Sequence, residues 1–111
     1  MRFSDVAVVV SDAKKAKKWY TETLGFELKD DEGHWVTVAP KGANVTLHLC
    51  ETEPLETGNT GIGFTVKDVA KVEAELEKKG VVFSQPARKL PWATVAKFLD
   101  PDGNEFWLTQ E

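Results

Sequence analysis

The chain has 111 residues, with 41% hydrophobic and 29% charged residues and a formal net charge of −4 at pH 7, which is the size and balance of one packed domain. Interspersed charges on that many apolar residues exclude a disordered chain, and the acidic balance excludes a general nucleic-acid binder, whose affinity comes from cations on phosphates. A single cysteine, Cys50, excludes an internal disulfide and fits a reducing cytoplasm.

The first apolar run, Val6 to Val10, belongs to a strand predicted over 3–10 that is rich in β-branched residues. Five apolar residues are too few for a signal peptide or a membrane span, so a cytoplasmic protein with no membrane partner is expected. Ser11 or Asp12 then caps a helix running to about Leu24, and Gly25 ends it in the left-handed position that glycine tolerates. Within that helix "KKAKK" reads as a solvated face, because Ala13, Ala16 and Tyr20 supply the apolar stripe. "FELKDD", "HWVTVAP" and "NVTLHLCE" come next as strands, separated by turns at Glu32-Gly33 and Lys41-Gly42.

A polar stretch over 53–59 reads as a linker, and then the order starts again. "TGIGFTVKD" is a strand, and "VAKVEAELEKKG" is a helix with Val69, Val72 and Leu76 at helical spacing. "VVFSQ" is a strand, "PARKLPW" a loop, "ATVAKFLD" a strand and "NEFWLTQ" the last strand. In the intervening "DPDG", Pro101 sets φ, Asp100 or Asp102 bonds its own backbone, and Gly103 takes a positive φ. That reading makes it a turn that pins the last hairpin. The two halves also match in words: "VVVSDAKKA" with "FTVKDVAKV", "LGFEL" with "KGVVF", and "APKG" with "DPDG". A repeat of this period implies two copies of one βαβββ unit, over about 1–52 and 60–111, within one domain spanning 1–111. A unit of about fifty residues buries little surface alone, so the expected fold is α+β: two tandem βαβββ modules forming a curved mixed sheet around a central cleft.

Side chains alternate between the faces of a strand, which sorts the cleft from the core. Asp5 shares a face with Ala7 and Val9, and His48 shares one with Thr46 and Cys50. Gly61 goes with Gly63 and Thr65, and Trp107 with Glu105 and Thr109. Ile62, Phe64, Val66, Phe106 and Leu108 face the core. The predicted ligand-binding set is therefore Asp5, Ala7, His48, Cys50, Gly61, Gly63, Trp92, Glu105 and Trp107. Small residues leave room in it, and the indole offers a flat wall. Trp35, opening a strand, and Arg88 and Lys89, in the loop that ends at Trp92, are adjuncts. Trp19 and Tyr20 read as helix-to-sheet packing, and Cys50 as a small half-buried residue rather than a nucleophile.

With "DVAVVVSDAKKAKKWYTETLGFEL" at one end and "VAKFLDPDGNEFWLTQE" at the other, the chain resembles the vicinal oxygen chelate superfamily, the glyoxalase / bleomycin resistance protein / extradiol dioxygenase group. The resemblance covers nearly the whole chain. It implies four cleft positions that hold a divalent metal in metal-using relatives, and these fall here on Asp5, His48, Gly61 and Trp107. Of these only His48 is a good ligand. Asp5 suits a hard metal, Gly61 has no side chain, and the indole of Trp107 only donates. His34 lies at no family ligand position. No cofactor is therefore expected, with Asp5 and His48 the weak candidates for a divalent metal.

Fold resemblance does not settle activity. The reading that fits the residues is a small-molecule-binding protein without a tight metal site, taking a planar or amphipathic ligand in the cleft and assembling as a homodimer. The first alternative is a metal-dependent glyoxalase-type lyase or extradiol-type dioxygenase. The second is a vestigial cleft with a role in protein association.

Overall fold

The computed structural model describes residues 1–52 and 55–111. The chain divides into two compact units, Met1–Thr57 and Gly58–Glu111. Glu53 and Pro54 of the expected linker lie outside the described residues, and its last residue, Asn59, is already the first of a strand.

In the first unit, β1 (Asp5–Val10) leads into α1 (Ala13–Lys18), and a π-helical turn (Trp19–Thr23) continues it. Then come β2 (Glu27–Glu32), β3 (Trp35–Ala39) and β4 (Thr46–Glu51). Asp12, rather than Ser11, caps α1: its Oδ1 accepts from the Lys14 and Lys15 amides at 2.9 and 3.1 Å. The helix was expected to stay α-helical to Leu24. It widens instead, and the Leu24 amide bonds the Trp19 carbonyl five residues back at 3.3 Å. Thr21 lies within this turn. Its hydroxyl donates to the Lys17 carbonyl at 2.8 Å, the acceptor that its own amide would use in an α-helix.

The second unit repeats the plan with β5 (Asn59–Val66), α2 (Val69–Lys78), β6 (Val82–Lys89), β7 (Thr94–Leu99) and β8 (Glu105–Gln110). Asp68 caps α2 through the Lys71 amide at 3.1 Å. The two sheets have the same topology, β1-β4-β3-β2 and β5-β8-β7-β6, each with its first and last strands parallel and the rest antiparallel. Both are four-stranded mixed sheets, so the fold is α+β with two tandem modules.

The repeat extends to individual bonds. In the first unit the Glu51 carboxylate, at the end of β4, accepts the Ala13 amide at 2.8 Å. In the second the Gln110 side chain, at the end of β8, accepts the Val69 amide at 3.1 Å. Each last strand thus ties down the helix start of its own unit.

The core of each unit is the face that alternation assigns to it. Val8, Val10, Leu47, Leu49 and Tyr20 are buried in the first unit, and Phe98, Phe106 and Leu108 in the second. Phe98 and Phe106 stack with centroids 5.5 Å apart, and Phe64 lies 5.5 Å from Phe106, an aromatic cluster within the second unit. Trp19 meets Tyr20 edge-on at 5.0 Å.

One expected loop is a strand. β6 continues through Pro86, Ala87, Arg88 and Lys89, leaving only a short turn closed by a 2.8 Å bond from the Leu90 amide to the Ala93 carbonyl. Proline is tolerated because β6 is the sheet edge and its register slips between Gln85 and Arg88, so no ladder amide is required there. The "DPDG" turn forms as expected, with Asp100 as the bonding carboxylate. It accepts from the Asp102 and Asn104 amides at 2.9 and 2.8 Å and from the Asn104 side chain at 2.8 Å, while Gly103 takes φ 88°.

Candidate functional site

Each unit has one sheet face that turns away from its buried apolar residues, and a matching row of side chains crosses it. In the first unit the register pairs Ala7 with His48, His48 with Thr37, and Thr37 with Asp30. In the second it pairs Gly63 with Trp107, Trp107 with Lys97, and Lys97 with Gln85. Both rows depend on a β-bulge at the same place. Between Leu28 and Asp30, and again between Phe83 and Gln85, one residue is left unopposed. Leu28 and Phe83 oppose the core residues Val38 and Phe98. Simple alternation would keep Asp30 with Leu28 and Gln85 with Phe83, and the extra residue moves Asp30 and Gln85 to the other face.

On the first unit's face, the His48 ring lies 4.3 Å from that of Trp35, centroid to centroid, tilted by 38°. Its Nε2 is 3.2 Å from the His34 carbonyl, which only accepts, so Nε2 donates in this contact. Thr37 is fully buried and donates to the Asp30 carboxylate at 2.6 Å. Asp5 is exposed, takes the Ser4 hydroxyl at 2.7 Å, and is opposite Thr46, one diagonal step from His48. Cys50 is half-buried and opposite Val9.

On the second unit's face Trp107 is half-buried. The Lys97 ammonium lies 4.2 Å from its ring centroid, a cation–π contact. Glu105 is 4.0 Å from that ammonium and accepts the Ser84 hydroxyl at 2.7 Å. On the other side Gly63 brings no side chain, and a Cβ built there would touch the Trp107 Cβ at 3.7 Å. Gly61 has a backbone reason to be glycine: it sits at φ 71° in an irregular stretch between the paired residues Asn59 and Gly63. Trp92 is 66% exposed at the β6–β7 turn. It lines a separate shallow pocket of about 300 Å³ with Lys89, Thr94, Gln110 and Glu111, rather than joining Trp107.

Sequence reasoning named Asp5, Ala7, His48, Gly63, Glu105 and Trp107 but missed Lys97, Thr37, Asp30 and Ser84. Lys97 was within reach of it, because the hairpin closed by "DPDG" counts back from Trp107 to Lys97. Asp30 and Ser84 were not, since their positions depend on the bulges.

The donor set does not fit a held divalent metal. Among the described residues no group of three or more His, Cys, Asp or Glu side chains is placed to hold a metal ion. The Trp107 position carries an ammonium over the indole, which repels a cation, and at Gly61 the positive φ disfavours any side chain. Among the described residues no helix is long and apolar enough to cross a membrane.

Comparison with known proteins agrees with this architecture. A family model described as the glyoxalase/bleomycin resistance protein/dioxygenase superfamily matches residues 2–108. The protein YetH of Bacillus subtilis (strain 168) is 34% identical over 113 residues, covering 95% of this chain and 94% of its own length. A member of the same superfamily from Sphaerobacter thermophilus DSM 20745 superposes with a TM-score of 0.90 at 34% identity, over 100% of this chain and 98% of that one. TnmS3, an antibiotic binding protein from Streptomyces sp. CB03234, superposes with a TM-score of 0.88 at 36% identity, over 99% and 95% of the two chains. A match along nearly the whole sequence, and the same fold in relatives above 30% identity, place the chain in the glyoxalase/bleomycin resistance protein/dioxygenase superfamily.

Proposed function

We propose that the protein binds a planar or amphipathic small molecule on the open faces of its sheets, without a tightly held metal. The observation that carries this reading is the half-buried Trp107 indole beside a strand that offers no side chain at Gly63. The Trp35–His48 pair presents a second ring surface on the first unit. TnmS3, similar in fold and sequence, is an antibiotic binding protein, which favours binding over turnover for this chain. The ligand-binding residues in this reading are Ala7, His48, Gly63, Glu105 and Trp107, with Asp5, Cys50, Gly61 and Trp92 at its margins. The protein acts in the cytoplasm in this reading, supported by its lone thiol, Cys50.

A thermal-shift panel of planar aromatic compounds, run beside nickel, zinc, manganese and iron against chelator, tests the proposal. Stabilisation by an aromatic compound and none by micromolar metal is the expected result. Stabilisation by metal alone would return the lyase or dioxygenase alternative. No stabilisation by any compound would favour the association role.

A further inference from the structure

Resting on that binding reading, we propose that Lys97 makes the second unit's face selective for planar aromatic ligands that carry an anionic oxygen, such as an aromatic carboxylate or a phenolate. The Lys97 side chain comes from β7 and lays its ammonium 4.2 Å from the centre of the Trp107 ring, while Gly63 on β5 leaves the other flank of Trp107 without a side chain. A ring that packs along Trp107 on this face therefore brings its substituents close to a fixed positive charge.

That charge is under-used. Among the described residues its closest carboxylate is Glu105 at 4.0 Å, beyond hydrogen-bond distance, and no protein group accepts a hydrogen bond from the ammonium. Ser84 accounts for the separation. Its hydroxyl, on the bulge residue of β6, holds the other carboxylate oxygen of Glu105 at 2.7 Å and so keeps Glu105 from closing on Lys97. Both charged side chains are only about a fifth to a quarter exposed, at 24% for Lys97 and 22% for Glu105, so solvent screens the ammonium incompletely. A neutral oxygen gains only a weaker hydrogen bond from this ammonium, and a cationic ligand is repelled by it. An anionic oxygen supplies the acceptor that Glu105 does not, in a charge-assisted hydrogen bond.

The rival reading is that Lys97 only covers the indole. Binding of 2-naphthoate and of its uncharged counterpart 2-naphthamide, titrated at neutral pH, separates the two. Wild type is expected to prefer the naphthoate by about tenfold, the scale of one hydrogen bond to a charged group. Lys97→Met keeps the apolar cover but removes the charge. It should bring the ratio to about one or below, because Glu105 then faces the carboxylate alone, and Lys97→Arg should keep the preference. Glu105→Gln, which can still accept from Ser84, should raise the ratio above that of wild type. Trp107→Leu should weaken both compounds, which places them on this face.

Equal binding of the two compounds by wild type overturns the inference and leaves the binding reading standing. So does an unchanged ratio in a Lys97→Met protein with a native circular-dichroism spectrum, or naphthoate binding that is indifferent to Trp107→Leu. If Lys97→Met does not fold, a ratio in Glu105→Gln at or below the wild-type value overturns it instead. Binding of neither compound by wild type removes the inference together with the reading on which it rests.

Discussion

The Trp107 indole lies half-buried between a neighbouring strand with no side chain at Gly63 and one that lays Lys97 across it. A fully buried tryptophan truncated to alanine costs about 3–5 kcal/mol. Trp107→Ala should cost less than that, about 1–2 kcal/mol by urea midpoint, and should weaken an aromatic ligand by at least about 1 kcal/mol. A large stability loss with unchanged binding would make the residue a space-filler. His48 gives the second expectation at this scale. Its Nε2 is on the His34 carbonyl and its ring on Trp35, so it is held as part of an aromatic surface. A metal at one hundred times its dissociation constant stabilises a native-only site by about 2.7 kcal/mol. No gain of that size is expected at micromolar nickel, zinc, manganese or iron, and a gain abolished by His48→Ala would contradict the donor set.

Single elements show which local signals suffice. Asp12, one of the two cap candidates in the sequence, and Asp68 at the matching place in the repeat both cap their helices, because a cap needs only a carboxylate two or three residues before an amide. The β7–β8 turn is as local and more consequential. Asp100 is 4% exposed and holds two backbone amides and the Asn104 side chain. Asp100→Ala strands those donors in a buried turn, and a loss of about 2–4 kcal/mol is expected in urea unfolding. A loss below about 1 kcal/mol would mean that the turn forms without it. Pro86 shows the opposite case. It reads as a loop signal, yet its strand lies at a sheet edge with a register slip, which removes the need for its amide. Whether a strand is an edge is a property of the sheet, so the local residues do not reveal it.

At the scale of the whole molecule, two units of one topology carry the same bulge, the same cross-strand row and the same tie from last strand to helix start. The outer strand of the first unit, β2, is exposed along all six residues. Five of them are charged (Glu27, Lys29, Asp30, Asp31, Glu32), which blunts that edge against pairing with another chain. Lys29 holds the Glu27 carboxyl below its ordinary range, first through their hydrogen bond and then through its charge. We expect a twofold homodimer that leaves this edge free and buries at least roughly 1,200 Å² elsewhere. Sedimentation that finds a monomer at tens of micromolar would rule it out.

The sequence by itself determined the order of elements, their duplication, the start of the first helix at Ser11 or Asp12, the "DPDG" turn and the apolar side of most strands. All of these arise from chemistry within a few residues or from a period along the chain. Only the tertiary structure decided which residues meet. The bulges that turn Asp30 and Gln85 to the open faces, the strand that carries Pro86, the His34 carbonyl on His48 and the Lys97 ammonium on Trp107 all depend on which residue lies opposite which. Pairing between strands is set by the packing of distant segments, and one unopposed residue reverses the faces of the residues after it in the strand. The candidate site is built from those pairings, so its members with ordinary local signals were visible beforehand, and Lys97, which the "DPDG" hairpin count could reach, shows its contact with the Trp107 ring only in the folded sheet.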